Sequence, residues 1–127
     1  MARLAVLFVL SAARRLVLIF VNSLYTQVLG MEEVSFGSDR KALLFGSQKI
    51  NLHGRGAEIQ PNAQHAACGT ADLCLLTDTP LETVLQELSA HGIKPLSGIV
   101  ARTGAMGKIQ SVYLRDPDGN LLEISSY

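Results

Sequence analysis

Three side chains in this 127-residue chain have the type and setting for metal or proton chemistry: His53, Asp72 and Glu123. Glu123 stands inside Leu121-Leu122-Glu123-Ile124. There a carboxylate must be exposed, paired or bound to a cation, because an unpaired buried charge is costly. Asp72 poses the same question near the start of the strand-like run Ala71 to Thr77. His53 ends the segment Lys49 to His53, with Asn51 on its face by the two-residue period of a strand. Its imidazole can bind a divalent ion, shuttle a proton, or simply be hydrogen-bonded at a strand edge. Arg102, Tyr113 and Arg115 are further polar groups able to line a pocket. Thr103 to Lys108 has two glycines and a lysine without the phosphate-loop spacing, and reads as a flexible loop over a site.

The elements that would hold these residues are clearest in the second half. Thr79-Pro80-Leu81-Glu82 is a helix opening, with Thr79 as cap, Pro80 at the first turn and Glu82 completing a capping box. Leu81, Val84, Leu85 and Leu88 supply one apolar stripe, and Gly92 ends the helix. Ile93 to Val100, Ile109 to Arg115 and Leu121 to Ser125 read as strands, the last two joined by the turn Asp116-Pro117-Asp118-Gly119. With Ala71 to Thr77 the order is β-α-β-β-β.

The first half reads as a meander of Glu33 to Gly37, Ala42 to Phe45 and Lys49 to His53, with turns at Ser38-Asp39-Arg40 and Gly46-Ser47. Leu4 to Leu10 as a buried strand and Ser11 to Leu29 as a helix closed by Gly30 would give this half the same order and make the chain a duplication. The apolar runs Leu4 to Leu10 and Leu16 to Val21 are each too short for a bilayer, which takes about 20 residues. Joining them would bury Arg14 and Arg15, so membrane association is disfavoured. The expected organisation is one domain: residues 1–53 as first module, 54–70 as linker and 71–127 as second module.

Eleven basic and eleven acidic residues cancel, which leaves no field to draw the chain onto nucleic acid. A 48% hydrophobic composition with few charges favours self-association. Cys68 and Cys74 lack the spacing of a disulfide scaffold or zinc knuckle and read as buried thiols, in keeping with a reducing compartment.

Three segments carry a family resemblance: Tyr25 to Met31 (YTQVLGM), Lys49 to His53 (KINLH) and Tyr113 to Ile124 (YLRDPDGNLLEI). Together they resemble the vicinal oxygen chelate superfamily, which includes glyoxalase I, bleomycin- and fosfomycin-resistance proteins and extradiol dioxygenases. The resemblance implies an α+β fold of paired β-α-β-β-β modules forming a cup-shaped mixed sheet. It further implies a divalent metal ion (nickel, zinc, manganese or iron). Glu123 matches the ligand in the last strand of the second module. His53 falls where a glutamate often serves in the first, and Asp72 where a histidine is usual. No histidine precedes His53, so the family's opening ligand is missing, and residues before Leu24 depart from the usual opening.

The implied function is a glyoxalase-like, metal-dependent lyase or isomerase acting on a small substrate with adjacent oxygens, with Glu123 as catalytic group. The alternative is a non-catalytic small-molecule-binding domain with a degenerate metal site. A cytoplasmic homodimer is expected in either case.

Overall fold

A computed structural model describes residues 23–38 and 40–127 of the chain. The expected strand Leu4 to Leu10 and the first part of the expected helix Ser11 to Leu29 lie outside those residues. Ser23–Val28 forms a π-helical turn, in which the Leu29 N–H donates to the Leu24 carbonyl at 2.9 Å. The fold is α+β, and the described residues divide into two compact units. One runs to Ala71 and includes Asp116–Gly119; the other comprises Asp72–Arg115 and Asn120–Tyr127.

In the first unit, β1 (Glu32–Phe36), β2 (Arg40–Phe45) and β3 (Gln48–Leu52) form the expected antiparallel meander. Alanine and leucine at positions 42, 43 and 52 are buried, as are Leu24, Tyr25 and Met31. The Tyr25 hydroxyl donates to Asp116 Oδ2 at 2.7 Å, and Asp116 Oδ1 accepts the Asp118 N–H at 2.9 Å. This carboxylate is therefore committed to holding a turn. From Gly54 to Ala71 the regular structure is limited to a Gly54–Ala57 bridge, in keeping with the absence of any hydrophobic period there.

The second unit is β-α-β-β-β: β4 (Asp72–Leu76), α1 (Leu81–Ala90), β5 (Val100–Gly104), β6 (Gly107–Arg115) and β7 (Leu121–Ser126). The sheet order is β4-β7-β6-β5, with β4 and β7 parallel and the other pairs antiparallel, which makes it mixed. Helix α1 packs on β6 and β7, burying Leu81, Val84 and Leu88 on the side of Val112, Leu114, Leu122 and Ile124. Each such leucine contributes about 1.5–3 kcal/mol by leaving water. Because strands alternate, Ser111, Tyr113, Glu123 and Ser125 belong to the opposite face.

Four expectations need correction. Pro80, with ψ 134°, occupies the N-cap position itself, so Thr79 stands outside the helix and no side chain caps it. The Thr79 N–H instead donates to Thr77 Oγ1 at 3.0 Å. Ile93 to Val100 is not a strand, since pairing begins only at Val100. Pro95 has no N–H to offer a ladder, and Ser97-Gly98 favours a bend. Thr103 to Lys108 is not a loose loop but the end of the β5–β6 hairpin, where Gly104 pairs with Gly107 around Ala105-Met106. The two cysteines are free thiols but not buried ones, Cys68 being half-buried and Cys74 exposed.

Candidate functional site

Glu123 lies in the middle of β7, flanked across the sheet by Tyr113 of β6 and Cys74 of β4. One step along, Ser111 faces Ser125. The Ser111 hydroxyl donates to Glu123 Oε1 at 2.6 Å and lies 2.8 Å from the Ser125 hydroxyl. The Cys74 thiol donates to Ser125 Oγ at 3.5 Å. Each of these groups has one proton to give, so once Ser111 donates to the carboxylate, Ser125 must donate to Ser111. The chain of donors then runs from Cys74 through Ser125 and Ser111 to Glu123.

Burial pushes the Glu123 carboxyl up, but the hydroxyl and thiol groups around it, Ser111 foremost and then Tyr113, outweigh it and hold the group below its ordinary value. Tyr113 is shifted the other way: desolvation and its hydrogen bond to Glu123 raise the phenol despite Arg102 nearby. The Arg102 guanidinium carbon lies 5.4 Å from the Tyr113 ring centroid. At neutral pH this face presents an ionised carboxylate, a protonated phenol and a guanidinium. That combination can accept a proton and stabilise negative charge on a nearby oxygen.

Asp72 stands at the exposed start of β4, on Glu123's face by alternation and one two-residue step from Cys74. His53 follows β3 in the first unit. Its Nδ1 accepts the Ile59 N–H at 3.3 Å, the hydrogen-bonded alternative weighed from sequence. No three histidine, cysteine or carboxylate side chains among the described residues form a group able to hold a metal ion. Residues 1–22 contain none of these types. The donor set therefore does not fit a complete metal centre within the described residues.

Sequence reasoning placed Glu123, Tyr113 and Arg102 in contention but missed Ser111 and Cys74. The available signal was the alternation Ser111-Val112-Tyr113-Leu114, which sets polar groups on the face opposite the apolar one.

Comparison with known proteins bears on the family and the fold. Residues 23–124 match the family model of the Glyoxalase/Bleomycin resistance protein/Dioxygenase superfamily. The chain is 52% identical over 103 residues to "Virulence protein STM3117" of Salmonella typhimurium, covering 81% of this chain and 72% of that one. The crystal structure of that protein superposes with a TM-score of 0.82 over 86% of each chain. The chain is also 52% identical over 103 residues to "Glyoxalase domain-containing protein RDO1" of Mycosarcoma maydis, covering 81% of this chain but only 58% of that longer protein. Lactoylglutathione lyase from Agrobacterium tumefaciens, at 24% identity and a TM-score of 0.62 over 86% of this chain and 84% of that one, is similar in fold.

Proposed function

The chain belongs to the Glyoxalase/Bleomycin resistance protein/Dioxygenase superfamily, and from that membership we propose that it is a glyoxalase-like lyase or isomerase acting on a small substrate with adjacent oxygens. Between Tyr25 and Tyr127 the chain also resembles glyoxalase domain-containing protein 5, including Arg102-Thr103-Gly104-Ala105 and Glu123-Ile124-Ser125, and that resemblance supports the same reading. The observation that carries it is Glu123, kept ionised by a chain of thiol and hydroxyl donors on the sheet face opposite the helix.

In this reading Glu123 takes a proton from the carbon beside a carbonyl. Tyr113, which shares a hydrogen bond with Glu123 in the free chain, turns its hydroxyl to the oxygen on which charge develops when substrate binds, and Arg102 offers a positive charge. The same carboxyl returns the proton to the adjacent carbon, while the hydroxyl proton passes to the former carbonyl oxygen, so a hemithioacetal becomes a 2-hydroxy thioester with no net redox change. A divalent ion is what the resemblance to metal-dependent relatives implies. The donors present do not complete a ligand set, and no step is routed through one.

That same shortfall favours a second reading, a binding domain that retains the fold without turnover. Incubating the full chain with the hemithioacetal of a 2-oxoaldehyde and glutathione, and following thioester absorbance, separates the two. Steady product formation supports the enzyme. Saturable binding with no product, with or without added nickel, zinc, manganese or iron, refutes it in favour of the binding domain.

A further inference from the structure

We propose that the first unit carries an anion-binding cleft, formed by Arg40, Lys49, Asn51 and His53, that takes the carboxylate or phosphate end of a small molecule. The register of the meander gives the reason these residues meet. Phe36 pairs with Arg40, Asn51 with Ala42 and Lys49 with Leu44, so alternation puts Phe36, Arg40, Lys49 and Asn51 on one face. His53 continues that series two residues beyond Asn51. The segment Ile59 to Pro61 lies alongside, and the half-open space between them is about 180 Å³.

Among the described residues that line the cleft, Arg40, Lys41 and Lys49 are charged and none is a carboxylate. The acidic group that interacts with His53 is Glu58, which stands outside that lining. Lys41 is neutralised by Glu33 at 2.7 Å, leaving the surplus on Arg40 and Lys49. The Lys49 ammonium sits 4.5 Å from the Phe36 ring centroid, an attraction that steadies the side chain without cancelling its charge.

The tautomer of His53 points the same way. Its Nδ1 accepts the Ile59 N–H, so in the neutral ring the proton resides on Nε2. The free edge of the imidazole is therefore a hydrogen-bond donor and seeks an acceptor. Asn51, exposed on the same face, adds an amide that can donate. A cleft whose charged lining is cationic, with amides at Asn51 and Gln60 that can turn their NH2 groups inward, is complementary to oxyanions. Its volume falls below the roughly 300–1,000 Å³ of a typical small-molecule pocket, so it suits an end group rather than a whole ligand.

Isothermal titration calorimetry of the full chain at fixed ionic strength, with inorganic phosphate, with lactate and with glycerol as a neutral control, tests the cleft directly. The readout is binding and needs no turnover, so it stands apart from the reading of Glu123. Saturable one-to-one binding of phosphate or lactate but not glycerol is expected, the tighter anion naming the end-group class. Affinity should fall at least tenfold in Arg40→Gln/Lys49→Gln. It should hold within twofold in Lys94→Gln/Lys108→Gln, which removes the same charge from exposed positions of the second unit. Failure of both anions to saturate, or equal weakening in the two double variants, overturns the proposal.

Discussion

Glu123 stays charged because the groups around it favour the ionised carboxyl more than burial opposes it. Its lowered folded value means that the network contributes stability fully above the unfolded value, and that this is lost as pH falls through the folded value. The carboxyl's ordinary value is 4.5, so the loss belongs below that pH. Acid unfolding followed by circular dichroism should therefore steepen below pH 4.5 in the parent relative to Glu123→Gln, which has no proton to take up there. Parallel curves would refute the network's role. Ser111→Ala removes the shortest donor to the carboxylate and should move the Glu123 value upward in a carboxyl-detected NMR titration. An unchanged value would mean that Ser111 does not hold the charge.

Among the elements, α1 was legible because its apolar spacing and the strands it covers agree. Leu88, fully buried, should cost about 2–5 kcal/mol when cut to alanine, measured by urea unfolding. The helix start was less legible, since Thr79-Pro80 fits two geometries and only the backbone angle at Pro80 chooses between them. Thr79→Ala should accordingly change stability by no more than about 0.5 kcal/mol, against about 1 kcal/mol for a side chain that truly caps. A loss of the larger size would restore the capping box. The β5–β6 hairpin was hidden for a different reason. A Cβ on Gly104 would come within 2.6 Å of the Tyr127 hydroxyl, which itself accepts the Met106 N–H at 2.9 Å. That requirement comes from a residue 23 positions away and leaves no local pattern to read.

On the scale of the whole molecule, the family was legible from Tyr25 onward, and the family match spans residues 23–124. That no histidine precedes His53 was equally legible, being a fact of the sequence. The contact between Gly69 and the Asp116–Gly119 turn was not. A Cβ at Gly69, whose φ is +76°, would meet the Asp118 carbonyl oxygen at 2.9 Å. Gly69→Ala should then destabilise the chain by about 1–3 kcal/mol, and thermal unfolding at the parent's temperature would contradict this. No helix among the described residues is long and apolar enough to cross a membrane. We propose a cytoplasmic homodimer, which sedimentation of the untagged chain would refute by giving a monomer at all concentrations or recovery only with membranes.

In the proposed reaction Glu123 moves the proton. Replacing it with glutamine keeps the shape and removes the base, so kcat for hemithioacetal conversion should drop by about 10²–10⁴ while substrate affinity changes little. Turnover by Glu123→Gln within threefold of the parent would contradict the account.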